Sequence, residues 1–230
     1  MTARFLLATT FLVAGTLSAS AQRDGPILFT NVDVFDGETL ELKEDMNVVV
    51  TDNLITQVTS DDVAVAGGQV IDGQGYTLMP GLSDTHVHIA MASLPVQELL
   101  VGLPGSAYIN SVVDAEKMLM RGVTSVRDMG GDTFALKKAI DSGRIPGPRI
   151  YPSGAILSQT AGHADFRFPN QQNPRFGGPV PVYMQNGYGV LADGVADVLS
   201  AARETLRHGA TQIKVAAGGG YSSPADPLLG

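Results

Sequence analysis

Cysteine and tryptophan are both missing from the 230 residues, and aromatic side chains make up only 6%. Without a thiol, disulfides, thiolate metal sites, a cysteine nucleophile and lipoprotein acylation are all excluded. Positive charge is scarce as well: 15 Lys and Arg face 23 Asp and Glu, for a net charge of −8, and no basic block stands out. A broad nucleic-acid-binding surface is therefore not expected. What is abundant is apolar and small. The chain is 44% hydrophobic, with 27 Gly and 13 Pro. That composition supports a packed core and many tight turns, and it rules out wholesale disorder.

Residues 1–21 read as an export signal. Arg4 supplies a short positive start, Phe5 to Leu17 is uncharged and mostly apolar, and Ala19-Ser20-Ala21 has the small-x-small cleavage pattern. The run is too short for a lasting membrane helix, which needs about 20 residues. The expected product is exported, periplasmic or secreted, after cleavage following Ala21, with no stable membrane anchor.

Residues 22–80 read as short strands joined by turns. The β-branched runs Met46 to Val50 and Leu54 to Val58 flank Thr51-Asp52-Asn53, a hairpin pattern. A small antiparallel sheet is expected there. From Gly81 the rhythm becomes strand then helix: strands at Leu82 to His88, Val123 to Arg127, Arg149 to Ile156 and Gln212 to Ala216. Helices are predicted at Tyr108 to Arg121, at Asp132 to Ser142, and from Val195 to Gly209, where Val195, Val198, Leu199, Ala202 and Leu206 make an amphipathic stripe. A long Pro/Gly/Asn-rich loop spans Ser158 to Tyr188. Strands alternating with helices argue for an α/β fold with a parallel sheet. A (β/α)8 barrel takes about 250 residues, so four units would be half of one. A short doubly wound sheet fits the same length.

The chain has four His. His86 and His88 flank Val87 at the end of the first βα strand, where alternate side chains share a face and α/β active sites lie. Both imidazoles can therefore reach one cation. Lys214 sits in the apolar run Ile213-Lys214-Val215, where burial favours the neutral amine. Such an amine can add carbon dioxide to become an anionic carbamate ligand; the alternative is a Lys paired with a carboxylate or snorkelling to solvent. His163 and Asp165 are candidate substrate contacts in the long loop, or a pair that structures it. Asp84 shares the parity of the two His and is either a supporting group for them or a backbone hydrogen-bonder. Asp128 ends the second strand and can orient a loop. His208 suits the C-terminal end of its helix. Gly218 to Gly220 fits a strand-end turn better than a phosphate cradle. Tyr183, Tyr188 and Tyr221 are possible substrate contacts.

Four spaced segments carry a resemblance. Pro80-Gly81-Leu82-Ser83-Asp84-Thr85-His86-Val87-His88, Gly122-Val123-Thr124-Ser125-Val126-Arg127-Asp128 with Gly130-Gly131, Gly147-Pro148-Arg149-Ile150 with Gly162-His163-Ala164-Asp165, and Ile213-Lys214-Val215 occur in the order and setting of the metal-dependent amidohydrolase superfamily. They resemble its imidazolonepropionase-like and Xaa-Pro-dipeptidase-like branch. The resemblance implies the first half of a (β/α)8 TIM-type barrel preceded by a small β-sandwich segment, with domains at 22–80 and 81–230. It implies two divalent ions, usually zinc, with His86 and His88 as metal ligands and Lys214 as a bridging carbamate. It also implies hydrolysis of a C–N amide bond in a dipeptide or N-acyl amino acid by a metal-activated hydroxide. The superfamily's later His ligands and its catalytic Asp have no counterpart in these residues, so the chain alone is expected to be an inactive fragment. The alternatives are a cyclic-amide hydrolase, or a non-catalytic remnant or metal-binding half-barrel. A small-molecule partner is expected and a homo-oligomer is open.

Overall fold

A computed structural model describes residues 25–103 and 105–218. The leader expected at 1–21, and Gly219, Gly220 and Tyr221, lie outside the described residues. The chain divides into two compact units with the boundary between Pro80 and Gly81.

In the first unit, β1 (Ile27–Val34) pairs antiparallel with β2 (Lys43–Thr51), which turns through Asp52 and Asn53 into antiparallel β3 (Leu54–Thr59). Asp52 takes a positive φ of 54°, which Asp tolerates better than most residues. The hairpin is thus as predicted. The sheet is not purely antiparallel, however: β4 (Gln69–Asp72) and β5 (Thr77–Leu78) both run parallel to β1, giving the order β3-β2-β1-β4. The connection after β3 carries the chain back to the starting end of β1, where the Gln69 amide donates to the Pro26 carbonyl. The next strand therefore runs alongside β1. Leu28, Val32, Val48 and Val49 are buried, while Leu54, Ile55 and Val58 are exposed. One five-stranded mixed sheet stands where a sandwich segment was expected.

The second unit opens with β6 (Leu82–Val87), followed by α1 (Val96–Val101), α2 (Ser106–Met120), β7 (Val123–Asp128), α3 (Phe134–Asp141) and β8 (Arg149–Pro152). These three strands form a parallel sheet in the order β6-β7-β8. The third predicted strand breaks at Pro152, which has no amide to extend the ladder. Gly154 turns with φ +67°, and the chain resumes as β9 (Ile156–Ser158). β9 is the middle of a second parallel group with β10 (Gly189–Leu191) and β11 (Val215–Ala216). The predicted loop contains a 3-10 turn at Pro174–Phe176 and α4 (Val182–Gln185), and α5 (Val195–Arg207) follows β10. Among the described residues no closed barrel forms; the βα order is that of a partial TIM-type domain.

The core between β6-β7-β8 and the helices is Ile89, Ala115, Val126, Leu136 and Ile150, with Met118 and Ile140 packed against it. The periodicity of α2 predicts a buried face of Val112, Ala115 and Leu119; the helix buries Ala115 as expected, together with Ala107 and Ser111, while Val112 is 37% exposed. Small side chains at four-residue spacing allow the close approach: a Cβ added at Gly147 would lie 3.3 Å from that of Ala115. The α5 stripe also departs from expectation. Val195 is 86% exposed and Leu206 51%, and the residue buried from that helix is Thr205, which bonds the Ala201 carbonyl.

Candidate metal centre

The site grows from the end of β6. Its ladder with β7 runs Asp84↔Val126 and then Val87↔Asp128, so β6 carries one residue more than its partner. Such a bulge bends a strand and re-aims its side chains. Within it, the Thr85 carbonyl accepts from the side chain of Arg127, whose Nε donates at 2.6 Å. Asp84 turns back on its own strand and accepts from the His86 amide at 3.1 Å, the backbone role foreseen for it. His88 lies one residue past the strand, and its carbonyl accepts from the Met91 and Ala92 amides in a tight turn. The imidazoles of His86 and His88 sit edge to face with centroids 5.3 Å apart. The two candidate ligands are therefore together, His86 exposed and His88 half-buried.

His88 is held below the usual histidine range by burial first, then by the charge of His86; the Gly130 backbone opposes this, and Lys214 and His163 add to the lowering. Its Nδ1 is buried without a well-formed hydrogen bond. A neutral imidazole is what ligation requires. Gly130 is needed for close approach, because a Cβ there would stand 2.9 Å from the Ile156 side chain and 3.1 Å from His88 Nδ1. Gly131 is needed for its φ of +110°. Lys214 immediately precedes β11 and is half-buried, with its carbonyl accepting from the Leu157 amide at 2.9 Å. Its charge acts on His88, as does that of His163.

A cavity of about 800 Å³ opens over this point, lined by Asp84, His86, His88, Ile156, His163 and Phe166 among others. His163 thus shares the cavity of the two ligand candidates. Asp165 does not line it. The Asp165 side chain is 3% exposed and forms a two-pronged pair with Arg167, Nε to Oδ1 at 2.7 Å and Nη2 to Oδ2 at 2.6 Å. It also accepts from the Ala161 amide at 2.9 Å, so its contacts organise the loop. Tyr183 and Tyr188 are buried in the cluster with Ala90 and Ala107. His208 pairs with Glu204 at the end of α5.

At the end of β7 lies a group whose surroundings were not foreseen. Asp128 is completely buried; Thr133 Oγ1 donates to its Oδ2 at 2.6 Å and the Ile89 amide to its Oδ1 at 3.3 Å. Burial pushes its carboxyl up to about 7, against the hydrogen bonds of Thr133, Ile89 and Gly130. Among the described residues, no group of three or more histidines and carboxylates is gathered to hold a metal ion. The available donors are two imidazoles and an amine. The neutral-leaning ring of His88 beside a second imidazole, both lining the cavity, is donor chemistry that fits a divalent cation.

Comparison with known proteins gives the same frame. Residues 77–227 match the Amidohydrolase family. An ochratoxinase from Aspergillus niger is 40% identical over 161 residues, 65% of this chain and 32% of that protein. A solved prolidase complexed with N-methylphosphonate-L-proline superposes with a TM-score of 0.78 at 38% identity, covering 88% of this chain and 49% of that one. A Xaa-Pro dipeptidase with bound methionine gives 0.67 at 26% identity, covering 83% and 46%. The chain therefore spans about a third of the curated relative and about half of each solved structure.

Proposed function

The chain belongs to the amidohydrolase family, and on that premise we propose that it serves the hydrolysis of a C–N amide bond in a dipeptide or N-acyl amino acid. The observation that carries the reading is the pairing of the His86 and His88 rings at 5.3 Å, with the charges of Lys214 and His163 reaching the same imidazole. His86 and His88 would hold one divalent ion, zinc by donor type, and Lys214 in its carbamate form would bridge to a second. When bound, such ions supply Lewis-acid polarisation of the scissile carbonyl.

The residues of the chain do the rest of the arranging. Burial favours the neutral form of His88, the form that ligation requires. Phe166 and His163 form cavity wall beside the imidazoles, where a substrate side chain would lie. The Asp165–Arg167 pair fixes the loop that carries His163. The relatives named prolidase and Xaa-Pro dipeptidase support a substrate whose leaving group is an amino acid. Hydrolysis adds water across the C–N bond, with the departing nitrogen taking a proton. Export after Ala21 and a soluble small-molecule substrate belong to the same proposal.

The test is the full open reading frame carrying these residues, assayed on Xaa-Pro dipeptides and N-acyl amino acids with metal content measured in parallel. Turnover that falls at least about 100-fold on chelation and in His88→Asn is expected, returning with zinc only in the wild type. Turnover that survives both treatments, or none across the amide panel, overturns the reading.

A further inference from the structure

We infer that Arg127 and Asp128, the last two residues of β7, form a bracket that positions the His86-Val87-His88 segment from both sides. The inference rests on the metal-site reading above. Arg127 grips the carbonyl of Thr85, immediately before His86, and Asp128 receives the amide of Ile89, immediately after His88. Between these points the β6–β7 ladder is irregular, so ordinary strand pairing does not fix the histidines.

The bracket adds side-chain anchors where the β6–β7 ladder shifts register. The Thr85 carbonyl accepts from Arg127 Nε at 2.6 Å, and a guanidinium is a fixed fork well suited to hold it. After His88 the chain turns, and the Ile89 amide would be buried and orphaned without the Asp128 oxygen. Asp128 is itself locked by Thr133 Oγ1 at 2.6 Å, and the Met129 amide bonds the Val87 carbonyl at 2.8 Å. Two adjacent residues of one strand thus set the backbone on either side of both imidazoles. Neither side chain is assigned contact with an ion or substrate; both are positioning residues.

The experiment is a Co²⁺ titration of the full chain, reading affinity by chelator competition and geometry by visible absorption. Thermal unfolding of the metal-free variants is measured alongside. Asp128→Ala and Arg127→Gln are each expected to weaken Co²⁺ by about tenfold or more and to alter the absorption bands, the loss typical of groups that orient metal ligands. Asp128→Asn is expected to stay within about threefold of wild type, since its amide oxygen still accepts from Ile89. Should Asp128→Ala fail to fold, Thr133→Val and Arg127→Gln decide the matter. Folded variants that bind Co²⁺ like wild type, with unchanged spectra and only lowered melting temperatures, overturn the bracket. A wild-type chain that takes up no Co²⁺ fails at the metal site itself, and the bracket falls with it.

Discussion

Two aspartates, Asp128 and Asp165, are almost equally hidden, at 0% and 2% exposure, and they behave in opposite ways. Asp128 meets only neutral donors, namely Thr133 and the backbone amides of Ile89 and Gly130, and burial drives its carboxyl up to about 7. Asp165 is pushed up by burial too, but the Arg167 guanidinium and the Ala161 amide more than offset this and hold it below the usual range. Desolvation is common to both; the cation is what differs. The carboxyl at the end of β7 is thus driven up, while the one in the loop is held down.

The largest expected effect breaks the Asp165 side. Asp165→Ala leaves the 10%-exposed Arg167 side chain without its partner, and stranding a buried charge costs about 3–5 kcal/mol. Urea unfolding should show a shift of that size, and pairing the change with Arg167→Met should recover most of it. A loss under about 1 kcal/mol would mean the pair is far better solvated than its burial says.

The next effect sharpens the contrast through pH. For Asp128 the folded state holds its proton above the unfolded value of 3.8 and up to about 7. Its contribution is therefore fully present below pH 4 and lost as pH rises through 7, with an upper bound of roughly 4 kcal/mol. Asp165 has the reverse sign: its contribution is present above the unfolded pKa and lost as pH falls through its lowered value. In metal-free protein, Asp128→Asn should therefore cost little at pH 5 and gain on the wild type by pH 8. Parallel stability curves for wild type and variant between those two pH values would refute the neutral-donor account of Asp128.

The imidazole pair was legible because parity along a strand needs no partner; Lys214 was singled out only as an amine in an apolar run. The bulge was not, since register is a property of two strands and only one is visible in the His86 segment. Arg127 and Thr85 are 42 residues apart and Asp128 and Ile89 39; no local pattern announces such pairs. The parallel course of β4 is likewise set by where the chain crosses rather than by its residues. Position in the loop offered Asp165 as a substrate contact or as a structuring partner of His163, whereas its carboxylate pairs with the guanidinium two residues on. On α2 the predicted face held at Ala115 but not at Val112: periodicity favours large apolar residues, and here the small Ala107 and Ser111 complete the buried face.

The smallest effect isolates burial from charge pairing. Arg175 Nη1 and Asp197 Oδ2 also form an ion pair between the loop and α5, as direct as that of Arg167 and Asp165, but their side chains are 56% and 37% exposed. Water already solvates both charges, so their pairing replaces good hydration and must hold two side chains still. Arg175→Ala should therefore change stability by less than about 1 kcal/mol, and any change should shrink further at 1 M salt, where screening reaches about 3 Å. The same salt should leave the Asp165→Ala loss nearly untouched, because ions do not enter a site that is almost closed to solvent. A salt response of equal size in both would place the difference between the two aspartates in something other than burial.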